Sequence, residues 1–153
     1  MRTEYQRRRS TGLGDSRAGH AAYWTVKTAF HVFLIEDDPS TRKALRWLVE
    51  SVGASVTTYE SAEQFLDHEF DARACCLVVD IQLPGMTGIE LIKTLRSRDY
   101  PVPAIAITAL GSKRMEIEAR EAGAFGYVEK GIGEHGLIHL IQQCRNACGP
   151  EPK

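Results

Sequence analysis

The chain has 153 residues, enough for one domain of ordinary size to bury a core without disulfide or metal staples. Apolar residues make up 43% and charged residues 25%, and 19 basic side chains nearly balance 20 acidic ones. That composition fits a soluble globular protein, and the balance excludes a bulk electrostatic case for nucleic acid or a membrane surface. No apolar run is long enough to span a bilayer.

The average hides an asymmetry. Residues 1–29 carry six Lys or Arg against Glu4 and Asp15, a net of +4, and the remainder sums to −5. This head includes Arg7-Arg8-Arg9-Ser10 and a Gly-rich stretch through Ser16, with no period and little to bury. It reads as a solvated tail, or as a basic arm that touches a partner. Its basic residues precede no apolar stretch, so it does not read as a secretory signal. Of the four cysteines, Cys76 sits in an apolar run and Cys144 on an apolar helix stripe, where reduced thiols are usual. Cys75 and Cys148 complete the set, and Cys144-x3-Cys148 lacks evident partners for zinc. A cytoplasmic protein is expected.

From Phe30 the pattern becomes regular. Phe30 to Ile35 predicts a buried strand. Asp38-Pro39 opens a helix that carries Leu45, Leu48, Val49 and Val52 and closes at Gly53. Ser55 to Tyr59 is a β-branched second strand. Ser61 with Gln64 has a capping-box spacing for a short helix with Phe65 and Leu66 inward. Cys76 to Val79 is a third strand ending at Asp80, and Leu83-Pro84-Gly85-Met86 is a loop. Thr87 opens a helix through Ile89, Leu91, Ile92 and Leu95. Pro101 and Pro103 precede a fourth strand, Ala104 to Ile107. A mostly polar helix over 112–122 presents Met115, Ile117 and Ala119. Phe125 to Val128 is a fifth strand, and residues 130–133 form a Gly-rich loop. Leu137, Ile138, Leu140, Ile141 and Cys144 mark the last helix, and 149–153 are a stub. The domain proper is expected over residues 30–148.

Five apolar strands alternating with helices imply an α/β fold with a parallel sheet covered on both faces. Right-handed crossovers then favour a doubly wound arrangement. In such sheets ligands sit beyond the carboxyl ends of the strands. The residues there are Glu36-Asp37-Asp38, Asp80, Thr108 and Lys130. Two carboxylates about 4 Å apart repel by roughly 4 kcal/mol at an effective dielectric near 20, so a proton or a cation must sit between them. Oxygen donors at a wet edge suit Mg²⁺. A carboxylate beside that ion can attack phosphorus to form an aspartyl phosphate, with the lysine and hydroxyl neutralising the phosphoryl oxygens.

At these residues the chain resembles the receiver domain of two-component response regulators. The resemblance covers about residues 30–146. It rests on the strand ending in Glu36-Asp37-Asp38, on Val78-Val79-Asp80-x-x-Leu83-Pro84-Gly85-Met86-x-Gly88, on Ile107-Thr108-Ala109 and on Gly126-Tyr127-Val128-x-Lys130. It implies a flavodoxin-like three-layer sandwich with strand order 2-1-3-4-5. It implies Asp80 as phosphoryl acceptor, with Thr108 and Lys130 on the phosphoryl oxygens. Mg²⁺ is then held by Asp38 and Asp80, with Asp37 helping through water and the Gln82 backbone carbonyl as a further ligand. Tyr127 matches the switch aromatic that follows Thr108, and Ala109 is small enough to leave room for the phosphoryl group. Gln82 and Leu110 flank the site where the family varies. Gly131 stands where the family usually has Pro after the lysine, so a looser loop with no cis bond is expected.

The implied protein is a stand-alone phosphorelay switch, not a turnover enzyme. Its donor would be a sensor histidine kinase or a histidine phosphotransfer protein. Phosphorylation would alter the face made by the fourth helix, fifth strand and last helix, which would act on a protein target or form a homodimer. Direct DNA binding is not expected, because no helix-turn-helix pattern follows and the body is acidic. Two rivals remain. One is a degenerate receiver that serves as a phosphorylation-independent interaction module. The other is an Asp-nucleophile phosphatase or phosphotransferase, which wants a general acid where Gln82 stands.

Overall fold

A computed structural model describes residues 30–68, 76–131 and 134–148. The basic head, Cys75, the side chain of Cys148, residues 132–133 and the stub after 148 lie outside the described residues.

The apolar runs become five parallel strands: β1 His31–Ile35, β2 Ser55–Tyr59, β3 Cys76–Asp80, β4 Ala104–Thr108 and β5 Gly126–Glu129, in the order β2-β1-β3-β4-β5. Five helices alternate with them: α1 Pro39–Glu50, α2 Ala62–Asp67, α3 Gly88–Ser97, α4 Lys113–Ala122 and α5 Glu134–Cys148. The implied α/β doubly wound architecture is therefore the observed one.

The pleat divides the core in two. Phe33, Ile35, Leu77, Val79, Ala104 and Ala106 face one side, where α2, α3 and α4 pack through Phe65, Leu91, Ile92, Leu95 and Ala119. Val32, Leu34, Val78, Ile105 and Ile107 face the other, under Val49 of α1 and Leu137, Ile141 and Cys144 of α5. Each fully buried aliphatic side chain contributes about 1.5–3 kcal/mol, which is why β3 and β4 are apolar throughout and still end on a polar residue only at the site.

Helix starts follow local chemistry. Asp38, Ser61, Thr87 and Ser112 each accept an N–H from the first turn of the helix they open. Only the Thr87 cap is reciprocal, with Glu90 accepting the Thr87 N–H at 2.9 Å. The capping box expected at Ser61 and Gln64 is half formed. Gln64 Oε1 takes the N–H of Glu60 at 2.7 Å, one residue too early.

Three boundaries and faces differ from expectation. β5 begins at Gly126, and Phe125 lies ahead of it, 38% exposed. Ile117 is not inward on α4 but 47% exposed, because Met115, Ala119 and Ala122 already fill the helical stripe that meets the sheet. β4 extends to include Thr108. Among the described residues every peptide bond is trans, including the one after Lys130, and Gly131 has φ +82°. That left-handed backbone suits glycine and leaves no place for proline. No described helix is long and apolar enough to cross a membrane.

Candidate functional site: an acidic pocket at the carboxyl edge of the sheet

The strand order assembles the site. β3 lies between β1 and β4, so Asp80 at its end has Glu36 on one flank and Thr108 on the other. β5 follows β4, and Lys130 is anchored there by its N–H to the Thr108 carbonyl at 2.7 Å.

The side chains close on one another. Lys130 Nζ donates to Asp80 Oδ2 at 2.9 Å. It also lies 2.6 Å from Glu36 Oε1, a close ion pair off the hydrogen-bond direction. Gln82 N–H donates to the other carboxylate oxygen of Asp80 at 3.0 Å. Asp80 is 4% exposed and Glu36 1%, which makes both charges costly without compensation. Burial pushes the Glu36 carboxyl above its ordinary pKa, against the opposing pull of Lys130 and the Asp38 N–H. Burial alone would lower Lys130, but the two carboxylates of Glu36 and Asp80 beside it outweigh that, and its pKa stands above the usual lysine value.

Carboxylate oxygens of Glu36, Asp37 and Asp80 lie within 4.8 Å of one another. Glu36 and Asp80 are buried, whereas Asp37 is exposed at the mouth. Lys130 offsets one of the three negative charges. Arg42 is spent on the backbone of the same loop, donating to the Glu36 carbonyl at 2.9 Å. Glu36 Oε1 is buried and accepts no hydrogen bond. An all-oxygen donor set with residual negative charge and one wet side fits a hard divalent cation such as Mg²⁺.

The expectation that Asp38 holds the ion directly, with Asp37 behind a water, does not fit this geometry. Asp38 Oδ2 accepts from the Thr41 N–H at 2.8 Å, the Thr41 hydroxyl at 2.7 Å and the Ser40 hydroxyl at 2.8 Å. Those bonds hold its carboxyl at about pKa 2, at the N-terminus of α1. Three adjacent acids look alike in sequence, and the one with Thr41 three residues on is captured by the helix. Glu36 takes its place in the cluster. Its only sequence signal was its position directly after the strand.

Thr108 is buried, and its hydroxyl makes two long contacts, 3.4 Å to Gln82 Oε1 and 3.4 Å to the Leu110 carbonyl. Both exceed the usual O–H···O distance, so the hydroxyl is weakly held. Tyr127 is half-buried, and its phenol oxygen accepts the Ser112 N–H at 3.2 Å. Gly111 lies directly under that phenol, where a Cβ would overlap it. Sequence reasoning missed Gly111, Arg42 and Ser112 here. Nothing local marks them, since Arg42 reaches Glu36 over 6 positions, Ser112 reaches Tyr127 over 15, and Gly111 lies 16 positions from the same ring.

A five-stranded parallel sheet between two layers of helices, with a buried Asp at the end of its central strand flanked by acids, a hydroxyl and a lysine, defines the class of the domain. The chain belongs to the response regulator receiver domain family, whose model matches residues 32–142. It is 32% identical over 128 residues to the transcriptional regulatory protein FixJ of Bradyrhizobium diazoefficiens, covering 84% of this chain and 62% of that protein. Among solved structures it is similar to FixJ-N, with 32% identity, TM-score 0.70 and coverage of 76% of this chain and 94% of that one. It is also similar to a response regulator receiver protein from Pseudoalteromonas atlantica, with 27% identity, TM-score 0.71 and coverage of 76% and 98%. The chain spans less than two thirds of the length of the curated relatives it matches. Receiver domains are components of two-component signalling, and turnover catalysis is not their task.

Proposed function

We propose that this receiver is a phosphoacceptor switch whose acceptor is Asp80. One observation carries the reading: Asp80 is 4% exposed at the end of the central strand, bonded to Lys130 and flanked by Glu36 and Thr108. A carboxylate oxygen of Asp80 attacks phosphorus of a phosphohistidine on a kinase or phosphotransfer protein. An O–P bond forms, the P–N bond breaks, and its electron pair stays on the imidazole nitrogen, which takes up a proton from solvent.

Asp37, Asp80 and the Gln82 backbone carbonyl would hold Mg²⁺, with Glu36 behind them, and the bound ion would neutralise charge on the transferring phosphoryl oxygens. Lys130 turns one N–H from carboxylate to phosphoryl oxygen. Thr108, with only long contacts to lose, rotates its hydroxyl to another phosphoryl oxygen. That movement frees space for Tyr127 and loosens its hold on Ser112 at the start of α4. The face of α4, β5 and α5 then shifts its equilibrium toward a form that binds a protein target or a second copy. The output and its target are proposed as protein, and the donor as a histidine kinase or phosphotransfer protein.

The test is incubation with acetyl phosphate, with and without Mg²⁺, beside Asp80→Asn, followed by intact mass. A gain of one phosphoryl group that needs both Mg²⁺ and Asp80 supports the reading. No gain where another receiver labels makes the phosphorylation-independent interaction module the better reading, with Gly131 in place of proline as its structural correlate.

A further inference from the structure

Glu63 belongs to α2, a helix that contributes nothing to the acidic pocket. Its carboxylate nevertheless leaves that helix and meets the loop that follows Asp80. Glu63 Oε2 accepts the Met86 N–H at 2.8 Å, across 23 residues of sequence. The fit beneath the loop is close. A Cβ on Gly85 would stand 2.6 Å from the same oxygen and would displace it, and Gly85 has φ +75°, a backbone that favours glycine. The bond to Met86 holds the Glu63 carboxyl below its ordinary pKa.

The loop from Ile81 to Thr87 begins with the Ile81 N–H on the Ile107 carbonyl of β4 at 2.8 Å and ends in the Thr87–Glu90 cap, with further polar anchors between. Gln82 N–H bonds Asp80 itself at 3.0 Å. Gly88 N–H bonds the Ile81 carbonyl at 3.0 Å and closes the loop at its base, with Gly88 pressed on the Asp80 backbone. The Glu63 bond, supplied by α2, holds the backbone of the Gly85–Met86 end of the loop. Leu83 is buried and Met86 half-buried against the same core, so a shift of Met86 is carried along a short, packed segment to Gln82.

We infer that Glu63 is a positioning residue for phosphoryl acceptance: it pins the loop that presents the Gln82 backbone beside Asp80. This rests on the phosphoacceptor reading of Asp80. A charge-assisted bond to a backbone N–H is stronger than a neutral one, and the loop's freedom increases when it is removed. Glu63→Gln keeps an acceptor oxygen at the same reach, whereas Glu63→Ala removes it.

Two measurements on the same variants test this. In the metal-free protein, Glu63→Ala should speed amide exchange at Met86 by about tenfold relative to β4, and Glu63→Gln should restore most of the protection. In acetyl phosphate labelling, Glu63→Ala should raise the Mg²⁺ concentration for half-maximal labelling by about three- to tenfold while the extent at saturating Mg²⁺ is kept. Glu63→Gln should fall near the parent. Equal acceleration in β4 and the loop would mean that Glu63 serves global stability, and would overturn the inference. An unchanged Mg²⁺ midpoint with a loosened loop would overturn it too. If the parent protein takes no phosphoryl group, the phosphoacceptor reading fails and this one with it. The exchange result would then still show whether Glu63 pins the loop, so the two failures are distinguishable.

Discussion

Lys130 reaches Asp80 across 50 residues of sequence and meets its carboxylate at 2.9 Å, with the same ammonium 2.6 Å from Glu36. One cation thus stands between two buried acids that neither neighbour in sequence could neutralise. Without it both would face low dielectric unpaired.

Lys130→Ala should therefore destabilise the metal-free protein by about 2–4 kcal/mol at neutral pH, the cost of leaving paired buried charge unpaired. Glu36 already stands above its ordinary pKa, and loss of Lys130 removes a pull that lowers it. The folded variant then binds protons more readily than its unfolded chain, so the deficit should shrink as pH falls and Glu36 becomes protonated. Mg²⁺ should recover part of the loss. Urea unfolding at several pH values, with and without Mg²⁺, reads all three effects. A deficit that grows on acidification would contradict the arrangement. Phosphorylation response should suffer more than Mg²⁺ binding, because the ammonium repels the ion and attracts the phosphoryl group.

The proposed metal set separates two adjacent aspartates. Asp37→Asn should lower Mg²⁺-dependent labelling by about tenfold or more, while Asp38→Asn, which keeps a capping oxygen, should label nearly as the parent does. Asp38→Ala should instead lower the thermal midpoint. Since the folded pKa of Asp38 is about 2 against an ordinary 3.8, its contribution is complete above about pH 4 and fades as pH falls toward 2. Labelling curves and melting curves of the three variants check the assignment. Reversed sensitivities of Asp37 and Asp38 would restore Asp38 as ligand.

His31 offers a pH signature away from the pocket. Its ring nitrogens lie 2.8 Å from the Ser55 and 2.8 Å from the Thr57 hydroxyls, and burial lowers its pKa from 6.5. A histidine depressed in the folded state contributes full stability above pH 6.5, where both states are neutral, and stability is lost as pH falls from there toward the folded value. The urea midpoint should decline as pH falls below 6.5, and His31→Gln should flatten that decline. An unchanged slope in the variant would assign the effect elsewhere.

A side chain at Gly111 would have to displace the ends of Tyr127 and Glu129. A Cβ there would overlap the Tyr127 phenol and come within 2.6 Å of Glu129 Oε1. Gly111→Ala should break the Ser112 to Tyr127 bond and cost about 1–3 kcal/mol through overpacking. Combining it with Tyr127→Phe should recover part of that cost by removing the displaced oxygen. A double-mutant cycle in urea measures the coupling, and strict additivity would show that the two residues do not meet as described.

The sequence by itself determined the sheet and the edge on which the chemistry sits. Strands buried on both faces must be apolar throughout, as Cys76–Val79 and Ala104–Ile107 are, so the first polar residue after each run marks the carboxyl edge. Asp80, Thr108 and Glu36 were legible in that way, and Lys130 as the second residue after the fifth run. The choice among Glu36, Asp37 and Asp38 belonged to the tertiary structure. At Asp38 the backbone turns to φ −78°, ψ 120°, which delivers the carboxylate to Thr41 and away from Asp80. The inward turn of Met115 and outward turn of Ile117 were decided the same way, by which stripe of α4 meets the sheet. Glu63 and Met86, 23 residues apart, meet only once α2 packs against the sheet at β2. Side-chain direction at a loop or helix surface depends on backbone angles and on neighbours distant in sequence, and neither is written in the local pattern that dictates burial.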